Sequence, residues 1–263
     1  MEQRQQGKIF YLEPSFVGEG VVGGFTTRHE GVSRAPYNSL NLGLGTSDSP
    51  HSVQGNRSLL ARAFGTELDR LLTVTQVHGD DILVVDEPND DLSHFQKLEC
   101  DGIVTNQRGV MIGVCVADCV PILLYDPVKR VIAALHAGWK GTALGIAAKG
   151  VQALVTLFGS NPSDIRGGIG PAIGPCCYEV DEPVRQAFAD RGELWSLCST
   201  PVSRGKWRID LAGMNRHLLL SAGLSPSRVE SAGACVSCAS ETFFSYRRDG
   251  GETGRQIGFV MLV

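Results

Sequence analysis

The stretch "VPILLYDPVKRVIAAL", residues 120–135, is two apolar runs joined by an Asp-Pro turn. Runs of this length read as strands buried on both faces. A connection so short leaves no room for the crossover that parallel neighbours need, so the two strands are expected side by side and antiparallel. Working outward, "LLTVTQVH" (71–78), "DILVVD" (81–86), "GIVTN" (102–106), "VMIGVCVA" (110–117) and "RVIAALHAG" (130–138) are further short β-type runs punctuated by Gly, Asp or Pro. "RVESAGACV" (228–236) and "RQIGFVMLV" (255–263) read as the closing strands. Helical spacing appears in "VQGNRSLLARAFG" (53–65) and "TALGIAAKGVQALVTLFG" (142–159), each ending on a glycine. It appears again in "VDEPVRQAFA" (180–189) and in "DLAGMNRHLLLSAG" (210–223), which opens on Asp210 as an N-cap. Short links between strands favour an α/β fold of the mixed-sheet sandwich type over a doubly wound parallel sheet.

The region 23–50, rich in Gly, Ser, Asn and Pro, reads as a long loop, and its length points to function or to a concealed strand. No internal period and no linker composition divide the chain, so 1–263 is read as one domain. Hydrophobic residues make up 43% and charged residues 20%, enough for a substantial core, and the formal charge of −4 gives no basic footprint for nucleic acid. No apolar run reaches the roughly 20 residues of a membrane helix, and the N-terminus lacks a signal-peptide pattern. The expected setting is cytoplasmic, with small-molecule partners and no obligate protein partner evident.

Eight cysteines in such a chain read as reduced thiols, most of them small buried hydrophobes. Cys235 and Cys238 have zinc-knuckle spacing, but a knuckle needs a second pair, and the adjacent Cys176 and Cys177 are too closely spaced for that role.

Three other residues carry the chemistry. His78, Cys119 and His136 each sit where apolar strand gives way to turn, so each side chain can reach a pocket. Two imidazoles and one thiolate make a three-donor set for zinc, with copper also admitted, and an open fourth position is the mark of a catalytic site. The same residues also suit metal-free nucleophilic catalysis, with Cys119 as thiolate, His136 or His78 as base, and Asp118 or Asp101 as orienter. Spacing alone does not choose between them.

The strings "FTTRHEGVS" (25–33), "QVHGDDILVVD" (76–86), "CDGIVTN" (100–106), "ADCVPILLYDP" (117–127), "HAGWKGT" (136–142), "GIGPAIGPCCYEV" (168–180) and "FFSYRRDGGETGRQIGFVML" (243–262) run in order along the chain. Together they resemble the laccase-domain family, long described as polyphenol oxidases and now as purine nucleoside phosphorylases with adenosine deaminase activity. The resemblance implies a single α/β domain of the laccase-domain, cytotoxic-necrotizing-factor-like type. It implies zinc on His78, Cys119 and His136. It also implies phosphorolysis of adenosine, inosine, guanosine and methylthioadenosine, and deamination of adenosine to inosine. Two positions depart from the family: "RHEG" replaces its usual Gly-Gly at 30 and 31, and Lys140 stands where arginine is common.

Deamination then needs a carboxylate to move a proton, and Asp118 and Asp101 are the candidates, either of which could instead be a buried structural group. Phosphorolysis needs donors for a phosphate dianion, and Arg28, Arg57 and Arg247 are the candidates, with backbone amides of "GIGPAIGP" beside them. Asn41 is a candidate purine or ribose contact, and Trp139 or Phe243 a stacking surface. The competing classes are a copper-dependent polyphenol oxidase and a cysteine hydrolase or amidase acting on a cell-wall precursor.

Overall fold

Strands Val120–Asp126 and Val131–Ala137 pair antiparallel, with Asp126 opposite Val131 and Pro121 opposite His136, in the computed structural model, which describes residues 1–18, 20–87 and 91–263. The Asp126 carboxylate accepts from the amides of Val128 and Lys129, closing the turn that the Asp-Pro pair implies. This hairpin lies at the centre of a six-stranded sheet. In spatial order its strands are Val229–Ser231, Arg166–Ile169, Val120–Asp126, Val131–Ala137, Gly102–Thr105 and Ile82–Val85. Only the two outermost pairs are parallel.

A second six-stranded sheet runs Glu2–Gln6, Ile9–Glu13, Val21–Thr26, Gln256–Leu262, Met111–Val116 and Leu71–Leu72. Strand alternation sets the layers. Ile112 and Val114 of this sheet meet Leu123, Ile132 and Ala134 of the central one in a shared core. On the far face of the central sheet, Ile122, Leu124, Ala133 and Leu135 pack under helices Ile146–Phe158 and Leu211–Ser221 through Val151, Leu154, Met214 and Leu219. Helix Pro50–Ala63 covers the outer face of the other sheet, with Leu60 on Met111 and Phe259. The result is the mixed α/β sandwich expected from the hairpin, with helices on both outer faces.

Several expectations change in detail. The long loop conceals strand Val21–Thr26, while 27–49 stays irregular. The helix expected over 142–159 is two helices, Trp139–Leu144 and Ile146–Phe158, because Gly145 takes a left-handed φ of 91° and ends the first. The helix expected over 180–189 shortens to Glu182–Ala187. A helix at Gly192–Cys198 and a small sheet of Glu179–Asp181, Lys206–Ile209 and Ser199–Ser203 had no signal in the periodicity.

The chain passes from the outer sheet to the central one twice at the same end, once between Leu71–Leu72 and Ile82–Val85 and once between Met111–Val116 and Val120–Asp126. His78 lies on the first connection and Cys119 on the second. His136 sits near the end of its strand beside them.

Candidate metal centre and active site

One carboxylate builds this corner. Asp101, fully buried ahead of strand Gly102–Thr105, holds Nδ1 of His136 at 2.7 Å. The same carboxylate accepts from the amides of Val77, His78 and Gly79 at 3.2, 2.9 and 2.6 Å. It thereby fixes both the His136 ring and the turn that carries His78, whose φ of 63° lies in the left-handed region. With Nδ1–H donated to the carboxylate, His136 presents Nε2 to a ligand. Two glycines allow the close approach. A Cβ on Gly138 would stand 2.9 Å from the His78 ring and 3.3 Å from the Cys119 sulfur, and one on Gly141 would stand 2.6 Å from the Gly79 carbonyl.

The donor atoms of His78, Cys119 and His136 all lie within 4.8 Å of one another. The two imidazoles stand at 77° with centroids 4.8 Å apart. Burial opposes charge on the Cys119 thiol, but His136 and His78 outweigh it and hold the thiol below its ordinary value. Burial likewise disfavours the charged His136 ring, and the Cys119 charge with the Asp101 hydrogen bond raises it nonetheless. Burial pushes the Asp101 carboxyl up, while His136 and the amides of Gly79 and Val77 carry the net shift downward. A thiolate beside two oriented imidazoles, one buried and one exposed, is a donor set that fits a tetrahedral ion with its open position facing solvent.

That face opens into a cavity of about 670 Å³, which also reaches Asp118, Trp139, Tyr178, Tyr246, Arg247 and Arg255. Asp118 holds a φ of 99°, and its carboxylate accepts from the Ser245 hydroxyl and the Arg247 amide, both at 2.6 Å. Burial raises its carboxyl above the ordinary range against the pull of those two donors. The Arg247 guanidinium donates to the Glu179 carbonyl at 2.9 Å and lies 5.2 Å from the Tyr178 ring. Arg255 donates to the carbonyls of Thr253 and Gly254 and lies 5.5 Å from the Tyr246 ring.

Of the residues singled out in the sequence, the structure thus gathers His78, Cys119, His136, Asp118, Arg247 and Trp139 around one cavity. The others stand elsewhere. Asp101 is behind His136, with its oxygens engaged by an imidazole and three amides, so it orients a ligand and is not placed to exchange protons with a substrate. Asn41 is fully buried; its amide binds Thr46 and Asp48, and its oxygen accepts from Gly43 and Arg255, which makes it a brace for the loop. Arg57 is buried on the Leu42 carbonyl and the Thr73 hydroxyl. Arg28 faces a different cavity, beside Arg248 and Asp249, and binds the carbonyls of Asn38 and Ser240. Phe243 is packed with Ile173 and Val236. Tyr178, Tyr246 and Arg255 were missed, because each sits in a Gly-rich or Pro-rich turn whose direction only the fold sets.

The cysteines also need correction. Only Cys100 is buried, and Cys176 and Cys238 are exposed. The sulfurs of Cys176, Cys177, Cys235 and Cys238 lie within 4.8 Å of one another, so the pairs that looked unrelated in sequence meet in space.

The family model described as "Multi-copper polyphenol oxidoreductase laccase" matches residues 22–263. The chain belongs to this laccase-domain family. A relative in Geobacillus stearothermophilus named purine nucleoside phosphorylase YlmD is 40% identical, the alignment covering 98% of this chain and 96% of that one. The Bacillus subtilis protein of the same name is 36% identical over 91% of this chain and 88% of its own. The crystal structure of the Bacillus licheniformis hypothetical protein YfiH superposes with a TM-score of 0.92 at 38% identity, covering 99% of both chains. The laccase-domain fold is therefore shared along nearly the whole length, including both crossovers that carry His78 and Cys119. Among the described residues, the laccase-domain cluster of His78, Cys119 and His136 is the one group of three or more metal-type donors that contains histidine.

Proposed function

We propose that this protein is a zinc-dependent purine nucleoside phosphorylase that splits adenosine, inosine, guanosine and methylthioadenosine with phosphate into free base and ribose 1-phosphate, and that also deaminates adenosine to inosine. One observation carries the reading: a single cavity is lined by the three metal-type donors together with Asp118, Arg247 and Arg255. Its volume of about 670 Å³ lies in the range of small-molecule sites, and Trp139, Tyr178 and Tyr246 offer it aromatic surface for a purine. The names of the relatives supply the reaction class. Eight unpaired thiols accord with a cytoplasmic setting.

Bound by His78, Cys119 and His136, zinc would supply a Lewis acid that makes water nucleophilic near neutral pH. Asp118 takes a proton from the attacking water and returns it to the departing amino group. In phosphorolysis, Arg247 and Arg255 hold the phosphate dianion, in place of Arg28 and Arg57. For this step Asp118 starts protonated, passes its proton to purine N7 as the glycosidic bond breaks, and is reprotonated by the hydroxyl of the attacking hydrogen phosphate as that oxygen becomes the ribose ester. Ser245 and the Arg247 amide hold that carboxylate in place throughout. Asp101 keeps His136 oriented.

A polyphenol oxidase would require several coppers with mostly imidazole ligands to reduce oxygen by four electrons, and the chain has six histidines, of which one donor cluster uses two. A cysteine hydrolase has a specific observation in its favour, since Cys119, His136 and Asp101 line up as nucleophile, base and orienter. It leaves the convergence of His78 without a role.

Product chromatography of adenosine incubated with and without phosphate, before and after chelation, tests the proposal. Adenine and ribose 1-phosphate should form only with phosphate, and inosine without it. Both products should vanish on chelation and in Cys119→Ala and His136→Ala with far-ultraviolet circular dichroism unchanged. Asp118→Asn should lose about 10²–10⁴-fold in rate with zinc retained. Activity that survives chelation and is abolished by stoichiometric alkylation of Cys119 would overturn the metal-dependent reading and support a metal-free cysteine mechanism instead.

A further inference from the structure

A second group of thiols lies outside the cavity. The turn 174–178 brings Cys176 and Cys177 to the surface, and the turn that follows the bridge of Cys235 to Ala172 brings Cys235 and Cys238 against them. The Cys238 sulfur stands 3.6 Å from that of Cys176 and 3.4 Å from that of Cys177, and all four sulfurs lie within 4.8 Å of one another. A tetrahedral ion with zinc–sulfur bonds of about 2.3 Å has sulfur–sulfur edges of about 3.8 Å, a value that the separations of 3.4 Å to at most 4.8 Å bracket. The backbone is arranged to match. The Gly174 amide donates to the Cys235 sulfur at 3.2 Å, and the Cys238 amide is directed at the same sulfur. Val236 donates to the Ala172 carbonyl at 3.0 Å, locking the two turns in register. Gly174 admits the approach, since a Cβ there would lie 3.2 Å from that of Cys235. Beneath the turns, among the described residues, the buried members of the apolar cluster are Ile173, Val236 and Phe243, a small base for two irregular segments.

We propose that Cys176, Cys177, Cys235 and Cys238 form a structural site for a thiophilic divalent cation, zinc, distinct from the His78 centre. Each thiol gives up its proton to the medium on binding, so four thiolates face one ion. The ion staples the two turns that back the cavity wall. Tyr178 follows Cys177 directly, Arg247 is bound to the next carbonyl along at Glu179, and Arg248 donates to the Val236 carbonyl inside the second turn. The role assigned is structural, and the assignment does not depend on which reaction the cavity performs.

The test uses the full chain. Wild-type protein reconstituted with excess zinc and desalted should hold two zinc ions per chain by atomic emission. His78→Ala/Cys119→Ser, which leaves the four cysteines intact, should hold one, and its cobalt derivative should show the sulfur-to-cobalt charge transfer and intense visible bands of a tetrahedral tetrathiolate. Cys235→Ser/Cys238→Ser should lose one of the wild type's two ions. Should that variant fail to fold, the His78/Cys119 variant decides by itself. The proposal is overturned if that variant retains no zinc, if its cobalt spectrum lacks thiolate charge transfer, or if all four thiols of zinc-loaded protein are alkylated as fast as in denatured protein.

Discussion

Asp101 shows how much one side chain can organise. A carboxylate with no exposure touches an imidazole and three amides, and through them sets two of the three metal-type donors. Replacing it by Asn keeps the shape but offers an NH₂ where two acceptors are needed, and removes the charge that favours Nδ1–H on His136. Asp101→Asn should weaken zinc binding by about 10–100-fold while the protein stays folded. Competition against a chromophoric chelator measures this, and an unchanged affinity would make Asp101 a packing residue only. Asp118 contrasts with it. Two donors also hold that carboxylate, but it lines the cavity, which is why we assign the proposed proton-moving role to it and not to Asp101.

The element that matters most for the site is the short helix Trp139–Leu144. It begins directly after Gly138 and leans on the His78–Gly79 turn through Gly141, where there is no space for a methyl group. Gly141→Ala must push the helix off the Gly79 carbonyl, whose residue's amide is bound by Asp101. The expected cost is about 1–3 kcal/mol, typical of overpacking, accompanied by weaker zinc binding. Urea unfolding with and without zinc checks both parts. A variant of wild-type stability would show that the helix shifts freely and does not frame the site. The next helix, Ile146–Phe158, has a different duty, burying Val151 and Leu154 on the central sheet and anchoring the layer from which His136 projects.

For the molecule as a whole, the site joins the two sheets. His78 and Cys119 stand on the two crossovers between them, and His136 stands on the central sheet. An ion held by all three therefore ties parts that separate on unfolding, and it stabilises the folded state by mass action. Zinc at roughly 100 times its dissociation constant should add about 2.7 kcal/mol per site. Thermal melts of His78→Ala with and without zinc, beside wild type, should show a smaller zinc-induced rise in the variant. Equal rises in both would remove the His78 centre from the linkage.

The hairpin at 120–135, the closing strand at Gln256–Leu262 and helix Leu211–Ser221 with its Asp210 cap were legible because their signals are local: apolar alternation, an Asp-Pro turn and a capping carboxylate. Strand Glu2–Gln6 was not, since it is an exposed edge whose polar residues carry no buried face. His78, Cys119 and His136 could be nominated in sequence because each ends an apolar run beside a turn. Their convergence within 4.8 Å depends on two crossovers meeting at one end of the sandwich, a fact no short window contains. The same holds for what tertiary structure alone decided: that Asp101 orients while Asp118 lines the cavity, that Arg255 reaches it while Arg57 and Asn41 are buried, and that Cys176 and Cys177 meet Cys235 and Cys238. Strands and caps follow from interactions over a few residues, whereas a site is a set of side chains from distant segments, and only the packing of both sheets fixes which of them share one space.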